Sequence, residues 1–109
     1  MQALLNIESI HNTATAAARK TTEDFLVKHG DRDACGFAWV TVYEKGSTKL
    51  GRALKSVGFK PAYGGGLQLW NPSGSWTQCI TAKEEGARAY AEVLRKFGIE
   101  KAYAGSRVD

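Results

Sequence analysis

Cys35-Gly36-Phe37-Ala38-Trp39-Val40-Thr41-Val42-Tyr43 is the stretch on which the fold turns. Odd positions carry Cys35, Phe37, Trp39, Thr41 and Tyr43, and even positions carry Gly36, Ala38, Val40 and Val42. A run rich in aromatic and β-branched residues reads as a strand. Both of its faces are mostly apolar. Such a strand is either covered on both sides or keeps one face for binding.

The sequence around it reads as further elements. Residues 4–29 predict a helix, because Ile7, Ile10, Ala14, Ala17, Thr21 and Phe25 recur at three- and four-residue steps. Asn6 stands at its cap and Gly30 at its end. Asp31-Arg32-Asp33 forms a charged turn before the strand. Beyond the strand, Gly46 and Ser47 open a second helix, with Leu50, Ala53, Leu54 and Val57 on its apolar side and Gly58 at its stop. Gly64-Gly65-Gly66 gives a bend. Leu67–Trp70 and Trp76–Ile80 then read as a hairpin across the turn Asn71-Pro72-Ser73-Gly74. Thr81-Ala82-Lys83-Glu84 is a capping-box pattern opening a third helix through Phe97, with Gly86, Tyr90, Val93, Leu94 and Phe97 inward. Ala102-Tyr103-Ala104 is the expected last strand.

The expected architecture is therefore α+β: a ferredoxin-like β-α-β-β-α-β antiparallel sheet with an additional N-terminal helix. It makes one domain over residues 1–109, with the helix in 1–30 and the α+β body in 35–105. The first and third strands would be central antiparallel neighbours, which brings Cys35 close to Cys79. The extra helix would cover the open sheet face or pair with a second copy.

Composition excludes several classes. A hydrophobic fraction of 43% and a charged fraction of 24% are those of a globular chain rather than a disordered one. Two cysteines without a CxxC spacing exclude a disulfide scaffold and a zinc ribbon, and both thiols read as reduced. No apolar run approaches membrane-spanning length, and the first residues lack a basic, apolar leader, so a cytoplasmic location is expected.

The net charge of +4 is concentrated. Residues 44–60 hold Lys45, Lys49, Arg52, Lys55 and Lys60 against Glu44 alone, and the rest of the chain is balanced. This basic patch is either a solvated helix face or a contact for phosphates. Ser47 and Thr48, at the expected helix start, are either plain caps or donors to an anion. The Walker spacing is absent, so no phosphate-binding loop is assigned. Phe37, Trp39 and Trp76 are candidates for stacking on bases or for a protein interface, although the RNP1 pattern is missing. His29, Asp31 and Asp33 read as a charged helix end rather than a metal site. No catalytic constellation, metal site or cofactor motif is recognisable.

Three blocks carry a resemblance: Asp33-Ala34-Cys35-Gly36-Phe37-Ala38-Trp39-Val40, Gly64-Gly65-Gly66-Leu67-Gln68-Leu69-Trp70-Asn71-Pro72-Ser73-Gly74 and Ala102-Tyr103-Ala104-Gly105-Ser106-Arg107. Across most of residues 33–109 the chain resembles small uncharacterised proteins encoded by tailed bacteriophages. The resemblance carries over no catalytic residue. It implies a small protein of the host cytoplasm that binds nucleic acid, binds a host protein or decorates a particle.

The expected function is a non-enzymatic binding module for nucleic acid or another phosphate-bearing ligand. In it, Lys45, Lys49, Arg52, Lys55 and Lys60 supply charge and Phe37, Trp39 or Trp76 supply stacking. The runner-up is a protein-interaction module, an inhibitor of a host protein or a self-assembling homo-oligomer, using the aromatic sheet face. A small nucleotide-binding enzyme is the third option. No membrane partner is expected.

Overall fold

The computed structural model describes residues 6–31 and 34–108. The expected helix start at residue 4 and the turn residues Arg32 and Asp33 lie outside them. The chain runs α1 (Ile7–His29), β1 (Gly36–Val42), α2 (Lys49–Ser56), β2 (Lys60–Pro61), β3 (Leu67–Trp70), α3 (Ile80–Lys96) and β4 (Ala102–Val108). Three helices pack on a four-stranded antiparallel sheet of order β2-β3-β1-β4.

One face of β1 is core. Ala38, Val40 and Val42 are buried with Leu54 of α2, Leu67 of β3, Ala87, Tyr90, Ala91 and Leu94 of α3, and Ala102 of β4. Their shared environment puts α2 and α3 on the same side of the sheet. α1 joins that side as an outer layer, burying Ile10, Ala14, Ala18 and Thr22 at four-residue steps. Small residues let it approach α3 closely. A Cβ added at Gly86 of α3 would lie 2.3 Å from Thr22 Oγ1 and 3.1 Å from the Ala18 carbonyl oxygen. Thr22 Oγ1 also donates to the Ala82 carbonyl at 2.8 Å, so its buried hydroxyl is satisfied. The extra helix thus covers α3 and leaves the far side of the sheet open.

The hairpin departs from expectation. Leu67–Trp70 pairs with Lys60–Pro61 and with β1, not with residues 76–80. The turn is the Gly-rich segment, closed by Ala62 N–H to the Gly66 carbonyl at 3.0 Å. Gly66 has φ +74, and a Cβ there would sit 2.7 Å from the Val42 carbonyl oxygen, so glycine is required. β2 escaped the sequence reading because it is two residues long and contains Pro61. Proline is tolerated there because β2 is an edge strand.

Asn71-Pro72-Ser73-Gly74 serves another purpose. Asn71 takes φ +46 and its side-chain amide donates to the Ser75 carbonyl at 3.1 Å. Ser73 is buried, and its Cβ lies 3.1 Å from where a Gly86 Cβ would be. Hydroxyls of Ser73, Ser75 and Thr77 accept from the amides of Ser75, Thr77 and Cys79 in turn. These local bonds replace a strand ladder over 71–79. Cys35 and Cys79 meet as an isolated antiparallel bridge, so the expected proximity holds.

Two boundaries also shift. α3 starts at Ile80 with Cys79 at the cap, so Thr81 stands inside its first turn and Glu84 beyond it, not at the two ends of a capping box. β4 runs on to Val108, because its full length pairs with β1 from Val42↔Ala102 to Gly36↔Val108. No helix among the described residues is long and apolar enough to cross a membrane.

Candidate functional site

The open face of the sheet is set by register. Residues directly opposite on antiparallel strands share a face. Phe37 faces Arg107, Trp39 lies between Trp70 and Gly105, and Thr41 lies between Gln68 and Tyr103. Gln68 in turn faces Lys60 on β2. These side chains point away from the helices, since their neighbours Ala38, Val40 and Val42 point into the core.

The aromatic rings fall into two groups. Trp39 and Trp70 lie with centroids 4.9 Å apart, and Phe37 meets Trp70 edge-on at 5.9 Å. Trp70 is 49% exposed and Phe37 37%. The Trp39 ring lies across Gly105, where a Cβ would come within 2.6 Å of its Nε1. Glycine at that position therefore lets the indole lie flat on the backbone. Further along β1, Tyr43 and Tyr103 pair at 5.9 Å, both about half exposed. A polar strip separates the groups: Trp70 Nε1 donates to Gln68 Oε1 at 3.2 Å, and Gln68 Nε2 donates to Thr41 Oγ1 at 3.3 Å.

Cations rim this face. Arg107 Cζ lies 5.8 Å and Lys83 Nζ 5.7 Å from the Phe37 centroid, within cation–π reach. Lys83 is held there by donating to the Gly36 carbonyl at 3.0 Å. Lys60 is exposed at the β2 edge. No strand position on this face carries a carboxylate among the described residues.

The expected site residues separate into two places. Phe37, Trp39 and Lys60 are on the open face. Trp76 is not beside them on a strand but in the loop after β3, 97% exposed. Lys45, Lys49, Arg52 and Lys55 surround α2, whose Leu54 is in the core on the opposite side of the sheet. Thr48 is the α2 cap: its Oγ1 accepts from the Gly51 amide at 3.0 Å and lies 2.5 Å from a Glu44 carboxylate oxygen. That carboxylate already sits at the helix start, and the Ser47 carbonyl accepts from the Arg52 guanidinium at 2.7 Å. Trp70, Tyr43, Tyr103, Gln68, Lys83 and Arg107 are the members that the sequence reading did not select. Pairing of β3 with β1, rather than with residues 76–80, is the signal that would have found Trp70.

On the helix side, a groove lined by Ile7, Glu8 and His11 of α1 and by Ser56, Val57 and Gly58 holds one polar pair. Burial raises the Tyr90 phenol well above its ordinary pKa. The phenol thus stays protonated, and its oxygen is hydrogen-bonded to His11 Nδ1 at 2.6 Å. The Ser56 hydroxyl at this groove is taken up by donating to the Ala53 carbonyl. No group of three or more His, Cys, Asp or Glu side chains among the described residues could hold a metal ion.

In comparisons with known proteins, no family model matches the chain, and neither a curated protein nor a solved structure matches it.

Proposed function

We propose that the chain is a non-enzymatic single-stranded nucleic-acid-binding module whose contact surface is the open sheet face. The observation that carries this reading is the partly exposed Trp39–Trp70–Phe37 cluster, rimmed by Arg107, Lys83 and Lys60 with no strand carboxylate beside it among the described residues. Bases stack on exposed rings whatever their identity, and the cations take the phosphates. Gln68, partly exposed between the two ring groups and steadied by buried Thr41, offers its amide to a base edge. The proposed fold is ferredoxin-like, supported by the β-α-β-β-α-β order after α1 and by β1 and β3 as central antiparallel neighbours. With the phage resemblance, the proposed setting is the cytoplasm of an infected host.

The second reading is a protein-interaction module docking the same rings on a host protein or on a second copy. An exposed apolar cluster favours it, while self-docking would bring Lys60 and Arg107 of both copies onto one buried face.

Fluorescence anisotropy of short labelled oligouridylate and oligothymidylate at low salt tests the proposal. Binding is expected, and Trp70→Ala should weaken it by about 5- to 150-fold, the cost of one lost base stack. Absent binding at low salt would reject the nucleic-acid reading, and unchanged affinity in Trp39→Ala/Trp70→Ala would reject the sheet face as the contact surface.

A further inference from the structure

We propose that Cys35 and Cys79 form a modification site: a thiol pair that closes into a reversible intramolecular disulfide by exchange with glutathione disulfide. Cys35 and Cys79 face each other across the isolated antiparallel bridge. Ile80 N–H donates to the Ala34 carbonyl at 2.9 Å, one residue outside the pair on each side. That pattern makes Cys35 and Cys79 a non-hydrogen-bonded pair, the closer kind, with Cα atoms about 4.5 Å apart and both side chains leaving the same face. Disulfides span Cα separations of about 4.4–6.8 Å. The backbone therefore already holds the two Cα atoms within the span of a disulfide, although both thiols are free.

Access orders the chemistry. Cys35 is exposed and Cys79 is buried. Cys35 loses its proton to solvent and its thiolate attacks one sulfur of glutathione disulfide. A Cys35–glutathione bond forms and glutathione thiolate leaves. Cys79, opposite, then loses its proton and attacks the Cys35 sulfur, expelling the second glutathione thiolate. Two protein thiols are oxidised by two electrons, and one glutathione disulfide becomes two glutathione thiols, which take up the two protons. The product ties the start of β1 to the start of α3. Nothing in this step depends on what the sheet face binds.

Incubating the folded full chain with glutathione disulfide, alkylating it and reading its intact mass tests the proposal. The expected product is two hydrogens lighter, takes up no alkylating agent, retains no glutathione and yields one linked peptide containing Cys35 and Cys79. Dithiothreitol should restore both thiols. Cys79→Ser should stop at one glutathione on Cys35, and Cys35→Ser should take up none. A stable glutathione adduct in the unsubstituted chain, a disulfide-linked dimer, or two thiols that remain alkylatable would each overturn it. So would glutathione uptake by Cys35→Ser. The unsubstituted chain decides the question even if a serine variant does not fold.

Discussion

Gly86 leaves no room for a methyl group. Its missing Cβ is the space that Thr22 Oγ1, the Ala18 carbonyl oxygen and Ser73 Cβ occupy. Helix propensity alone favours alanine there by about 1 kcal/mol, but a Cβ 2.3 Å from Thr22 Oγ1 pushes α1 and the 71–79 loop away from α3. Overpacking of this kind costs about 1–3 kcal/mol. Gly86→Ala should therefore lower the urea midpoint, with little change in slope. At the same helix interface, burial holds His11 below its ordinary pKa of 6.5. The neutral imidazole is the form that this burial favours beside the Tyr90 hydroxyl. Above pH 6.5 the imidazole is mostly neutral in both folded and unfolded chains, and this contribution is fully present. Between 6.5 and the lower folded value, the unfolded chain binds the proton more readily, so stability falls as pH falls. The difference in urea midpoint between the unsubstituted chain and His11→Gln should narrow as pH drops through that window.

At the scale of elements, the sheet and α2 make opposite claims on a polyanion. α2 holds most of the excess charge, yet its Leu54 faces the core, so Lys49, Arg52 and Lys55 stand on the helix side of the sheet. Replacing these three by Gln should change oligouridylate affinity much less than Trp70→Ala does, as read by anisotropy at one low salt concentration. If the triple variant is the weaker binder, the site is the helix and not the sheet. The α2 stripe was legible in the sequence because charge clustering is local. So was the alternation of β1, which named Phe37 and Trp39 as one face. Trp70 and Tyr103 were not legible as their partners, because a strand's neighbours depend on register across the chain. The Asn71-Pro72-Ser73-Gly74 segment looks like a hairpin turn by composition. It is diverted under α3 because Ser73 can be buried against Gly86. The position of α1 was likewise open, since small residues at 14 and 18 fit a helix as well as a sheet. Thr22, aimed at the Ala82 carbonyl, fixes the choice.

For the whole molecule, the net charge of +4 predicts attraction to any polyanion, but the number of cations engaged depends on where the strand runs. A strand confined to the open face meets Lys60, Lys83 and Arg107. Each phosphate neutralised on a single strand contributes about 0.7 to the slope of log affinity against log salt. Three contacts give a slope of about −2, and roughly a 20-fold loss between 50 and 200 mM salt. A strand that also wrapped to Lys49, Arg52 and Lys55 would double the slope to about −4 and lose several hundredfold over the same interval. Stacking adds affinity that salt hardly touches, so the sheet-face reading further predicts residual binding at high salt that disappears in Trp39→Ala/Trp70→Ala. Anisotropy titrations of the unsubstituted chain and of that variant across this range separate the cases. A slope near −2 with a salt-resistant remainder places the ligand on the rings. A steeper slope that the ring substitutions leave unchanged would mean that charge alone holds it, from the helix side.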